Sequence, residues 1–226
     1  MEIVKDFIPK DRNNRPGFTM SPEFITIHDT GNSNPGANAK VHVGYLDSPT
    51  AQNLPVSWHF TVDENTIYQH LPLDENGWHA GDGGQGQGNR NSIGIEVCMN
   101  KGADRNKAEI LTAKLVAYLF ENVSSLLPFP DAMKQHFDWS GKNCPQLLRN
   151  GYVRNWQEFL DLIKDQKGDE IVEELTWQQK QAIDMIESLG KLGCLNDPEQ
   201  HAETIKSGES LEDFVYLSLI ERIAKK

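Results

Sequence analysis

Three short segments of this chain alternate apolar and polar side chains, and beyond them the apolar period lengthens to that of a helix. Phe24-Ile-Thr-Ile-His28 sends Ile25 and Ile27 one way and Thr26 and His28 the other. Trp58-His-Phe-Thr-Val62 repeats the pattern, as does Ser92-Ile-Gly-Ile-Glu-Val-Cys98, where Ile93, Ile95 and Val97 oppose Gly94, Glu96 and Cys98. A repeat of two is the signature of a strand. From about Lys107 to Leu127, Leu111, Leu115, Leu119 and Val123 recur at a spacing of four. From about Tyr152 to Lys164, Val153, Trp156, Phe159, Leu160 and Ile163 make a second stripe. Both predict helices with one buried face. Strands mixed with helices predict an α/β fold.

Size and charge narrow the field. At 226 residues the chain has room for one ordinary domain and a small appendage. With 38% hydrophobic residues it can bury a real core. The longest apolar run, Leu115 to Phe120, is far short of the ~20 residues a membrane helix needs, so no span is expected. Met1 to Lys10 has no apolar segment of the secretory kind, which predicts a protein held in the cytoplasm until it is released. A net charge of −11 argues against non-specific binding to nucleic acid, which depends on Lys and Arg. Three cysteines, Cys98, Cys144 and Cys194, are too few for a disulfide framework and read as reduced thiols.

The acidity is concentrated at the C-terminal end, where residues 169–226 carry −7 of the total. Polar residues and a glycine from Asp165 to Glu174 predict a linker over 166–175, with a main domain over 1–165. The remainder, 176–226, reads as a small all-helical module. Thr176 with Gln179 matches a capping box, Leu189-Gly190 a helix end, Asp197-Pro198 a new start, and Ser210 the cap of a last helix. Its apolar faces suit wall binding or homodimerisation.

Chemistry gathers around two places. His28 ends a strand just before the turn Asp29-Thr30-Gly31-Asn32, and His136 and Cys144 stand eight residues apart across a Ser-Gly turn. Imidazole and thiolate are favoured zinc donors, and three protein ligands leave a fourth position open for water. The same Cys144 and His136 would also serve as a nucleophile pair, though Pro145 gives the thiol no helix N-terminus. Glu96 shares its strand face with Gly94 and Cys98 and is placed to accept a proton; Lys142 lies two residues before Cys144 and could steady an oxyanion. His59, Trp78 and His79 are candidate cleft residues. Gly81-Asp-Gly-Gly-Gln-Gly86 matches a dinucleotide loop by letter alone, because a strand rather than a helix follows it, and it reads as a flexible rim loop.

In chain order, Phe24-Ile-Thr-Ile-His28-Asp-Thr, Ser57-Trp-His-Phe, Gly77-Trp-His-Ala-Gly-Asp-Gly, Asn89-Arg-Asn-Ser-Ile-Gly-Ile-Glu-Val-Cys98 and His136-Phe-Asp-Trp-Ser-Gly-Lys-Asn-Cys-Pro145 together resemble the zinc N-acetylmuramoyl-L-alanine amidases. That family is shared by phage endolysins, bacterial autolysins and peptidoglycan recognition proteins, and the likeness covers roughly residues 1–165. The resemblance implies a central mixed β-sheet flanked by helices. It implies zinc held by His28, His136 and Cys144, with Glu96 and Lys142 catalytic and His59, Trp78 and His79 in the substrate cleft. It implies hydrolysis of the amide between the lactyl group of N-acetylmuramic acid and L-alanine in peptidoglycan, as in an endolysin acting on the cell wall. The alternative is a non-catalytic peptidoglycan-binding module, but such members lose the cysteine ligand and Cys144 is present. Asp29 stands where the family often carries Asn or His, a change expected to touch what surrounds the ligands rather than the ligands themselves.

Overall fold

The two segments with the strongest alternation become the middle of a sheet. In the computed structural model, which describes residues 1–168 together with Ile186, Ser188, Gly190 and Lys191, β2 (Phe24–Asp29) pairs in parallel with β5 (Ser92–Val97). Around them lie β1 (Ile3–Lys5), β3 (Phe60–Val62), β4 (Ile67–Gln69) and β6 (Met133–Gln135). The order is β1-β4-β3-β5-β2-β6, parallel throughout except for the β3–β4 hairpin. Mixed pairing is what the resemblance implied. Every residue of β2 is buried, on the polar face as well as the apolar one, because a central strand of such a sheet is covered on both sides.

The helices are α1 (Ala39–Leu46), α2 (Pro49–Gln52), α3 (Gln87–Arg90), α4 (Arg105–Asn122), α5 (His136–Ser140), α6 (Gln146–Arg149) and α7 (Trp156–Gly168). Helix α4 starts two residues before the sequence suggests, because the Asp104 carboxylate accepts the Lys107 N–H as an N-cap. It stops at Asn122 rather than Leu127. Helix α7 starts four residues late: Asn155 and Glu158 cap each other's backbone N–H groups, leaving Tyr152 and Val153 exposed. The expected stripe therefore loses Val153 and keeps Phe159 and Ile163, both fully buried with Leu115 and Leu119 of α4 in the main core. Burial of each such side chain stabilises the fold by roughly 1.5–3 kcal/mol. Among the described residues no helix is long and apolar enough to cross a membrane.

The glycine-rich stretch is not the loose loop its composition suggests. Asp82 accepts the N–H groups of Gly88 and Asn89, and the Asn89 amide donates to the Gly83 carbonyl. Residues Gln87–Arg90 then form one helical turn before β5 begins. The chain divides into two compact units, Met1–Gly168 and Asp169–Lys226. The expected linker at 166–175 begins while α7 is still helical. Gly190 and Lys191 are both helical, so the stop expected at Leu189-Gly190 is not where that helix ends. The caps expected at Thr176, Asp197 and Ser210, and the wall-binding or dimerising faces of 176–226, lie outside the described residues.

Candidate metal centre

Strand register brings the distant residues together. In the β2–β5 pair His28 lies opposite Glu96, and in the β2–β6 pair Ile27 lies opposite Gln135, so that the next residues in line are His28 and His136. All three strands run the same way, which delivers these side chains to the carboxyl end of the sheet, where open α/β folds place their sites. Cys144 is returned to the same point by α5. Its Gln135 N–H is accepted by Asp138, and its far end is closed by Gly141 at φ 75°, a left-handed position that suits glycine. The Phe137 N–H then donates to the Cys144 carbonyl at 3.0 Å.

The resulting donors converge. His28 Nδ1 is 2.9 Å from His136 Nδ1 and 3.9 Å from Cys144 Sγ, and one donor atom from each residue lies within 4.8 Å of the others. Bond lengths typical of tetrahedral zinc require its N and S ligands to stand about 3.3–3.8 Å apart, a range that the observed spacings bracket. All three residues are buried. Burial, then the neighbouring His79, His136 and Lys142, holds the His28 imidazole well below its ordinary pKa. Burial and Lys142 push His136 down to about 4. Neutral imidazoles at neutral pH are the form that binds a metal. The donor set therefore fits zinc. Cys144 is pushed up to about 12, by burial first and then by the Glu96 carboxylate, which is the opposite of what a free thiolate nucleophile needs.

Glu96 is half-buried, with Oε2 enclosed and unpartnered among the described residues. Burial, followed by the Asp29 carboxylate, pushes its pKa up to about 8 against the pull of Lys142. A carboxyl near neutrality is suited to take up and return a proton. Lys142 is exposed on the loop between α5 and Cys144, and its charge reaches His28, His136, Glu96 and Cys144.

The expected cleft residues separate. Trp78 is half-buried, edge-on to the exposed ring of Phe18 at 6.3 Å, with the Arg90 guanidinium 4.5 Å over that Phe18 ring. His59 does not line a cleft. It is fully buried, accepting the Gly94 N–H on Nδ1 and meeting the Glu75 carbonyl through Nε2. His79 is also buried, and lies between His28 and the Ser92 carbonyl rather than in the open.

Several further residues hold the site, and Arg105 and Arg154 among them carry no signal in the sequence. Arg105, at the start of α4, donates to the carbonyls of Val97 and Cys98 and pairs with Asp29 at 2.7 Å and Glu109 at 2.9 Å. Arg154 reaches the other oxygen of Glu109. Asp29 in turn accepts the Leu147 N–H at 2.7 Å, fixing the first turn of α6 behind Cys144, while its own N–H donates to Cys144 Sγ at 3.4 Å. Asp29 thus ties Arg105, α6 and Cys144 together. Asn89 accepts the N–H groups of both His79 and Ala80, so the glycine-rich turn anchors the His79 segment. Asn89 opens one of the motif blocks, which was its one signal in the sequence, and nothing local marks Arg105.

Comparison with known proteins decides the family. The N-acetylmuramoyl-L-alanine amidase family matches residues 18–147, more than half of the chain, a span that includes His28, Glu96, His136, Lys142 and Cys144. The chain belongs to that family. It is 47% identical over 159 residues to the amidase CwlH of Bacillus subtilis (strain 168), an alignment covering 70% of this chain and 60% of the relative. It is 47% identical over 161 residues to XlyA of the same strain, covering 70% of this chain and 50% of that protein. The chain thus spans about half to three-fifths of the length of these amidases. Among solved structures, the catalytic domain of XlyA matches with a TM-score of 0.65 at 45% identity, covering 72% of this chain and 99% of that one. PlyL matches with a TM-score of 0.62 at 33% identity, covering 72% of this chain and 97% of its own. The mixed sheet and flanking helices are therefore shared with the catalytic domain of XlyA.

Proposed function

We infer that residues 1–165 form a zinc-dependent amidase that hydrolyses the bond between the lactyl group of N-acetylmuramic acid and L-alanine in peptidoglycan, as an endolysin acting on the cell wall. The observation that carries this reading is the convergence of His28, His136 and Cys144 beside a carboxyl with raised affinity for protons. His28, His136 and Cys144 would hold the ion. Zinc, when bound, supplies a Lewis acid that polarises the lactyl carbonyl and acidifies water.

The remaining work falls to the chain's own side chains. Glu96 takes the proton of the attacking water and returns it to the departing L-alanine nitrogen, which cannot leave as an amide anion at neutral pH. The Lys142 ammonium, exposed on the rim, faces the negative charge that develops on the carbonyl oxygen. Trp78 and Phe18 offer an aromatic wall on which a sugar or stem-peptide face can rest. The non-catalytic alternative leaves the enclosed Glu96 carboxyl without a purpose.

Digestion of purified peptidoglycan tests this reading. The expected products carry new L-alanine amino termini with no new reducing sugar ends, and a chelator abolishes their release. New reducing ends, or turnover indifferent to metal removal, would overturn it.

A further inference from the structure

His79 was expected in the cleft, and its contacts give it a different task. Its Nε2 lies 3.2 Å from the Ser92 carbonyl, which can only accept a hydrogen bond, so Nε2 carries the proton. A neutral imidazole has one N–H, and that leaves His79 Nδ1 as a bare acceptor. His28 Nε2 sits 3.0 Å from this atom and must donate to it. The proton of His28 is thereby committed to Nε2. Its Nδ1 is left with a free lone pair, and that nitrogen faces His136 Nδ1 at 2.9 Å and Cys144 Sγ at 3.9 Å.

We propose that His79 is a positioning residue: by accepting the Nε2–H of His28 while donating to Ser92, it fixes His28 as an Nδ1 metal ligand. Partners of this kind orient a ligating imidazole and raise its basicity. The inference rests on the zinc reading above and extends it to a residue that touches neither the ion nor the substrate.

Gly94 supplies the space. A Cβ there would meet the His79 ring at 2.7 Å from Cγ, 2.8 Å from Cδ2 and 2.9 Å from Nδ1. A glycine in mid-strand lets another group come unusually close, and here the group is the imidazole that orders His28. The Gly94 N–H also donates to His59 Nδ1 at 3.0 Å, which packs His59 on the same face of β5.

The test uses the full chain and two readouts. In zinc-free, 15N-labelled parent protein at neutral pH, long-range proton–nitrogen correlation is expected to show His28 protonated on Nε2; protonation on Nδ1 overturns the proposal without any mutation. Zinc affinity is then measured by competition with a chromophoric chelator. His79→Leu removes the acceptor and is expected to weaken binding about 10–100-fold, the usual effect of losing such a partner. His79→Asn, whose side-chain oxygen reaches about where Nδ1 stood, is expected to recover most of the loss. Gly94→Ala, which displaces the ring without removing any polar group, is expected to follow His79→Leu. A parent that binds zinc beside a His79→Leu chain that binds it equally well overturns this inference alone. A parent that takes up no zinc overturns the metal reading together with it.

Discussion

Replacing Glu96 by Gln separates the carboxyl's cost to folding from its use in catalysis. Burial and the Asp29 carboxylate raise its pKa from 4.5 to about 8. A folded-state pKa above the unfolded one contributes stability that is complete below the unfolded pKa and is lost as pH rises through the folded value. For Glu96 the loss therefore runs from about pH 5 to pH 8. Its Oε2 is enclosed, so solvent screens little of the effect. At pH 7 the loss amounts to about 3 kcal/mol, because each pH unit between the two values removes about 1.4 kcal/mol. Gln cannot ionise. Its buried amide carries a fixed penalty of about 1–3 kcal/mol, which does not change with pH. The zinc-free variant should thus gain on the parent by up to about 1.4 kcal/mol per pH unit between pH 5 and 8 and level off above that. Urea unfolding of both proteins at half-unit intervals measures the difference directly. A difference that stays flat across this interval would refute the claim that the protein holds this carboxyl protonated. Turnover should be lost at every pH.

Cys144→Ser is expected to abolish both zinc uptake and turnover, whereas Cys98→Ser, whose thiol lies beside His42 Nδ1 at 4.0 Å, keeps both; metal analysis after dialysis distinguishes the two, and loss of zinc from the Cys98 variant alone would refute the ligand assignment. Arg105→Ala strips a buried cation from Asp29 and Glu109 and should cost about 3–5 kcal/mol in urea unfolding. Arg105→Lys should recover little, since one ammonium cannot serve Asp29, Glu109 and two carbonyls at once; a cost below about 1 kcal/mol for the Ala variant would show that the network is incidental.

The differences between sequence and structure have separate physical causes. Leu115, Leu119, Phe159 and Ile163 were legible as core because helical periodicity survives any arrangement of the neighbours. The ends of α4 and α7 were not, because Asp104 and the Asn155–Glu158 pair set them through caps that compete with apolar spacing. Strands β1, β4 and β6 have only three residues each, too few for alternation to show. His59 and His79 looked like cleft residues because histidine marks chemistry without saying which way its ring faces.

By itself, the sequence determined the alternating strands and the helical stripes, and it singled out His28, His136 and Cys144 as candidate donors. These depend on local periodicity and on residue chemistry, both of which a single chain displays. Tertiary structure alone decided that β6 lies beside β2, which aligns His136 with His28 across more than a hundred residues of chain. It alone gave Arg105 to Asp29 and His79 to His28. A hydrogen bond between distant residues depends on register and on the space left by a glycine such as Gly94, and neither is encoded at the position that benefits.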